Sequence, residues 1–215
     1  MVSPGPESWH PNPAFFYEPG GGPLLDVGPY YVTTLICIFG SVRRVTGMAR
    51  VLYPELTPNR GPRQGETFKV TTPTFIAGVL EFESGATANL VTSFGISGAC
   101  LPNMQVYCAN GILQAPDPNT YGGPVRVRAK DGEWLDVPLV REPDASQGPN
   151  ALGAIEAAMA IRGGTQPRAS GQLAYHALDV MLSILESAAG DRHVSLSSTC
   201  ARPLLLSDAD LAAVR

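Results

Sequence analysis

The period of apolar positions changes twice along this chain. From Asp26 to Gly40, apolar residues recur at helical spacing, with Tyr30, Thr34, Leu35 and Ile38 on one side and Gly40 as a stop. Asp26 stands where a carboxylate can cap a helix start, and Pro29 suits a first turn because its missing N–H would be unpaired there anyway. From Val42 the period shortens. A strand is predicted over 42–56, then a polar loop over 57–67 and a short strand over 68–72. Ser84-Gly85, Asn110-Gly111 and Asp131-Gly132 each sit between alternating runs, predicting hairpins over 74–94, 104–115 and 125–140. Helical spacing returns over 151–162 and 170–189, and a short helix is predicted over 207–214.

Three hairpins and separate helices predict an α+β fold. It should hold a large, predominantly antiparallel sheet with helices packed on one face and the other face open for oligomerisation. No boundary interrupts the pattern, so residues 1–215 are read as one domain. Composition changes this picture little: 44% hydrophobic and 16% charged residues suit a globular protein. A net charge of −4 argues against non-specific nucleic-acid binding. No apolar run approaches the roughly 20 residues that span a bilayer. The opening MVSPGPESWHPNP lacks the charged and apolar regions of a secretory signal. Four scattered cysteines and three histidines form no metal-ligand spacing, so no metal site is expected, and reduced thiols suit a cytoplasmic location. His176 reads as a hydrogen-bonded structural histidine.

Candidate chemistry lies around Gly20 to Gly40. If the turn is helical from Asp26, Asp26 and Tyr30 are four apart and share a side. A carboxylate beside a phenol after a glycine loop can serve proton transfer. It can equally be a helix cap followed by a core tyrosine. The preceding segment carries Trp9, His10 and Asn12 among further aromatics. Aromatic faces with hydrogen-bonding tips suit a sugar or polyol, and they also suit a loop that covers a core.

Gly20, Gly21, Gly22, Asp26, Gly28 and Tyr30 form G-G-G-x-x-x-D-x-G-x-(H/Y). This resembles the motif opening the C-terminal domain of the glucose–fructose oxidoreductase / inositol dehydrogenase (Gfo/Idh/MocA) family. The likeness continues through TPTFIAGVLEFESG, PDPNTYGGPVRVR, GQLAYHALDVM and STCARP. The resemblance implies a substrate-binding and oligomerisation domain of an NAD(P)-dependent oxidoreductase. Such an enzyme transfers hydride to or from a hydroxyl-bearing carbon of a sugar, polyol or related compound. It implies Asp26 and Tyr30 as catalytic residues; Trp9, His10 and Asn12 are the substrate-binding candidates by their residue types and their place before the motif. It also implies a homodimer or homotetramer.

The family's cofactor, NAD or NADP, is held by an N-terminal Rossmann domain that also supplies a lysine from an E-K-P motif. This sequence has no G-x-G-x-x-G, and neither Lys69 nor Lys130 precedes a proline. No cofactor-binding residue is therefore expected here, and the chain alone should be inactive. The alternative is a non-catalytic binding or assembly module that keeps the fold without a cofactor domain.

Overall fold

The computed structural model describes residues 1–120, 122–139 and 151–207. The short helix expected over 207–214 falls outside them, apart from Ser207, and so does the end of the third hairpin. The chain gathers into two compact units. One comprises Met1–Ala99 with Gly171–Arg202, and the other Cys100–Ser170 with the tail from Pro203.

The first unit is built on α1 (Pro23–Phe39), β1 (Val42–Arg50), β4 (Phe75–Phe82), β5 (Thr87–Ser93), α3 (Gly171–Gly190) and β10 (Val194–Ser195). Between β1 and β4, a small antiparallel pair joins β2 (Glu55–Leu56) to β3 (Phe68–Lys69). The predicted 42–56 strand is thus split, with Pro54 in the gap. The main sheet runs β10-β1-β4-β5, antiparallel throughout. β10 lies in a turn that its short, polar sequence did not distinguish as a strand. Residues 1–4 also line the free edge of β5, where Val2 bridges Ser93 and the Ser3 N–H donates to the Ser93 carbonyl at 3.1 Å.

Side chains alternate across this sheet. Val45, Ile76, Leu80, Phe82 and Leu90 are buried on the helix side. Met48, Val79 and Val91 are exposed on the other. α1 meets the core with Leu24, Val27, Tyr31, Val32, Leu35 and Ile36, an unbroken three-and-four spacing. α3 does so with Leu173, Ala177, Val180, Met181 and Ile184. Full burial of a large aliphatic side chain stabilises by about 1.5–3 kcal/mol. These two stripes therefore hold the helix layer on the sheet.

Paired glycines set how close α3 comes. Gly47 on β1 lies opposite Gly78 on β4. A Cβ on Gly47 would stand 2.7 Å from the Ile184 carbonyl oxygen, and one on Gly78 would stand 3.3 Å from Ile184 Cγ2. A bare strand surface at this point lets the helix settle onto the backbone.

A buried polar node joins α3 to the turn after α1. His176 is fully buried. Its Nε2 accepts the Val42 N–H at 3.0 Å and lies 3.1 Å from Ser41 Oγ. The proton therefore sits on Nδ1, which donates to Ser198 Oγ at 2.7 Å. Ser198 in turn donates to Asp179 Oδ2 at 2.5 Å. Burial holds His176 below the ordinary histidine range, while the Asp179 carboxylate pulls the other way.

The second unit contains β6 (Gln105–Cys108), β7 (Gly111–Gln114), β8 (Val125–Ala129), β9 (Trp134–Val137) and α2 (Ala151–Arg162). The strands form a four-stranded antiparallel meander. The α+β class and antiparallel pairing are as expected, but the strands divide between two four-stranded sheets and the small pair. Glu156 on α2 is buried and accepts the Arg168 N–H at 3.2 Å and its guanidinium at 3.0 Å.

Candidate functional site

The glycine run shapes the entry to α1. Gly22 is the N-cap residue with φ of 88°, and a Cβ there would meet the Pro73 carbonyl oxygen at 2.9 Å. The Gly21 N–H donates to the Glu18 carbonyl at 2.9 Å and the Gly22 N–H to that of Phe16 at 2.7 Å. These N–H groups are spent inside the turn. Gly21 and Gly22 therefore offer no free N–H to a dinucleotide phosphate. Nor does any group of three or more His, Cys, Asp or Glu among the described residues suit a metal ion.

The helix starts earlier than its sequence pattern suggested. Pro23 takes the first position, so Asp26 lies in the first turn and is not the cap. Asp26 still profits from the positive end of the helix. Pro29 falls inside the helix, not in its first turn. The stripe is also rotated from the predicted face. Tyr31 is the core tyrosine, at 2% exposure, whereas Tyr30 points outward at 46%.

Asp26 and Tyr30 thus share the outward side of α1, one turn apart, with Cβ atoms about 5–6 Å apart by helix geometry. Among the described residues neither side chain has a hydrogen bond or ion pair. The main chain is better anchored: the Tyr30 carbonyl accepts Thr34 Oγ1 at 2.8 Å. Asp26 is exposed by area, yet neighbouring protein mass strips some of its hydration and raises its carboxyl above the ordinary range.

Trp9, His10 and Asn12 form a second group. The Trp9 and His10 rings meet edge to face at 5.4 Å, and both approach Phe16, at 6.1 and 5.2 Å. His10 Nδ1 accepts the Asn12 N–H at 3.1 Å. Trp9 leaves 56% of its surface exposed, and Asn12 Oδ1 accepts Arg63 at 3.4 Å. The described bonds and ring contacts join these three to one another and not to Asp26 or Tyr30. The backbone links the groups, because the short helical turn Ala14–Tyr17 runs directly into the glycine cap of α1.

Two supports had no signal in the sequence. The fully buried Tyr17 donates its hydroxyl to the Glu7 carboxylate. Burial first, then that carboxylate, pushes the Tyr17 phenol far above its usual range. Its ring packs with Val70 and Phe94 in a small core. The loop over 57–67 closes on the segment before α1, with Gly61 against Pro11.

Residues 2–114 match the GFO/IDH/MocA C-terminal domain. Solved structures share the fold. An aldose-aldose oxidoreductase of Caulobacter crescentus, solved with glycerol, is 23% identical, with a TM-score of 0.64 over 91% of this chain and 53% of that one. An NAD binding oxidoreductase of Klebsiella pneumoniae is 15% identical, with a TM-score of 0.73 over 92% and 57%. A levoglucosan dehydrogenase, in complex with NADH and L-sorbose, is 16% identical, with a TM-score of 0.70 over 92% and 57%. The chain thus spans little more than half the length of these proteins. A comparison with curated proteins finds no match. The chain belongs to the Gfo/Idh/MocA family, through its C-terminal domain.

Proposed function

We propose that this chain is the substrate-binding and oligomerisation domain of an NAD(P)-dependent oxidoreductase acting on a sugar, polyol or related hydroxy compound. The observation that carries this reading is the placement of Asp26 and Tyr30. Both lie on the family motif, on the outward side of a rigid helix, with side chains free to meet a substrate. Tyr30 gives or takes the proton of the substrate hydroxyl as the carbon beneath it changes oxidation state. Asp26 accepts from a substrate hydroxyl or orients the acid/base group. Trp9, His10 and Asn12 line the approach with ring faces and polar tips. The solved relatives include proteins in complex with NADH and L-sorbose and with glycerol, which supports the substrate class.

The cofactor, NAD or NADP, is held by a separate Rossmann domain, which also supplies the lysine that stabilises a Tyr30 phenolate. The chain alone is inactive and cytoplasmic in this reading, in keeping with its free cysteines. Tyr30→Phe in the complete protein is expected to lower kcat by about a hundredfold or more. Cofactor affinity should stay within about twofold, because the variant leaves the nucleotide's own domain untouched. Turnover near that of the parent would remove Tyr30 from the mechanism.

The alternative is a non-catalytic binding or assembly module that keeps the fold. Dehydrogenase activity in the complete protein, lost with Tyr30→Phe, excludes it.

A further inference from the structure

The segment before α1 is closed on itself by a side-chain bond. Glu7 lies in the short helical turn Pro6–Ser8, and Tyr17 ends the turn Ala14–Tyr17. The Tyr17 hydroxyl donates to the Glu7 carboxylate across ten positions. Trp9, His10 and Asn12 all fall between the two. Tyr17 is the fixed end. It is fully buried, its ring centre lies 5.3 Å from that of Phe68 and 5.8 Å from that of Phe94, and its carbonyl accepts the Thr71 N–H at 2.9 Å. Glu7 is the other end, two residues before Trp9. The Trp9 and His10 N–H groups both donate to the Pro6 carbonyl, at 3.1 and 2.7 Å. Where Glu7 is held therefore sets where the Trp9 and His10 rings leave the backbone. Gly5 is buried beside the pair, and a Cβ there would press on the Tyr17 hydroxyl and the Glu7 carboxylate together. Burial and the Glu7 carboxylate keep the proton on the Tyr17 phenol, so Tyr17 serves as a lasting donor and not as an acid or base.

We infer that Glu7 and Tyr17 are positioning residues: their bond fixes the 7–17 loop so that the Trp9 and His10 rings and the Asn12 side chain stand ready for a sugar or polyol. The inference rests on the reading of Trp9, His10 and Asn12 as substrate-binding. A surface arranged in advance needs no ordering when the ligand arrives, and that ordering otherwise reduces affinity. Glu7 and Tyr17 act through the rings between them and not by touching the ligand.

The full 215-residue chain carrying Trp134→Phe, which leaves Trp9 as the single tryptophan, tests this. Without sugar, Tyr17→Phe and Glu7→Ala should each increase acrylamide quenching of Trp9 emission, as the ring leaves its edge contacts with His10 and Phe16. The circular dichroism spectrum should not change. Glu7→Gln should match the parent, because its amide oxygen can still accept the phenol. Parent-like quenching in Tyr17→Phe or Glu7→Ala overturns the inference, and so does a Glu7→Gln chain that behaves as Glu7→Ala. With L-sorbose as the probe in calorimetry, Tyr17→Phe should weaken binding about fivefold, the effect of one net hydrogen bond. Trp9→Ala should abolish binding. Weaker binding by Trp9→Ala with parent affinity in Tyr17→Phe overturns the inference alone. Equal affinity in the parent and Trp9→Ala chains, or none in either, overturns the substrate reading of the segment and the inference with it.

Discussion

At the residue scale, the firmest functional contrast is between neighbours. Tyr30 and Tyr31 are chemically identical, and one helical step of about 100° sends one to solvent and the other into the core. A tyrosine at 2% exposure is a packing residue, while one at 46% on the family motif is available for chemistry. His176 shows the opposite case of a titratable group consumed by structure. Only the neutral ring can accept the Val42 N–H, so the folded protein resists its protonation. Its folded pKa is depressed, so its stabilising contribution is full above about pH 6.5, the unfolded value. That contribution is lost as pH falls from there through the lower folded value. Urea denaturation between pH 7.5 and 5 should show stability falling on the acid side. His176→Ala should cost about 3 kcal/mol at pH 7.5, through a cavity and an unpaired Val42 N–H, and should flatten that pH dependence.

At the element scale, close approach governs. α3 lies on β1 and β4 where Gly47 and Gly78 leave the strands bare. Gly47→Ala drives a methyl group into the Ile184 backbone, which cannot move without displacing the helix. About 1–3 kcal/mol of stability should be lost. Gly28→Ala is the control on the other helix. Its Cβ would meet Met181 Sδ at 2.9 Å, the pliable end of a side chain, so a smaller loss is expected. Chemical denaturation of both variants checks the ranking; equal losses would remove the distinction between backbone and side-chain obstacles. α1 obeys the same logic at its start, where only glycine suits the cap conformation of Gly22 beside the Pro73 carbonyl.

At the scale of the whole molecule, the main sheet carries its helices on one face and leaves Met48, Val79 and Val91 exposed on the other. We propose that a second copy of the chain covers this face, since antiparallel sheets of this kind bury one face and the apolar residues cluster on the bare one. Met48→Glu with Val79→Lys should shift the chain to monomer in sedimentation velocity while leaving the circular dichroism spectrum unchanged. A parent chain that is already monomeric at high concentration counts against the interface. No described helix is long and apolar enough to cross a membrane. The expected single domain stands beside two compact units in the structure, each with its own four-stranded sheet.

The sequence by itself determined the α+β class, the hairpins at Ser84-Gly85, Asn110-Gly111 and Asp131-Gly132, the three helices and the family. All of these rest on signals within a few residues of one another: side-chain period, turn chemistry and motif spacing. Tertiary structure decided the rest. It moved the start of α1 to Pro23 and took Tyr30, Thr34 and Ile38 out of the buried stripe, because the sheet and α3 select which stripe is buried. It broke the 42–56 strand, and it recruited Val194 and Ser195 as an edge strand, because their ladder partners Val45 and Arg44 come from a distant segment. It brought Ser41, His176, Asp179, Ser198 and Cys200 into one node, and set Gly47 under Ile184. Such contacts join residues from 19 to 159 positions apart, and local periodicity carries no information about them.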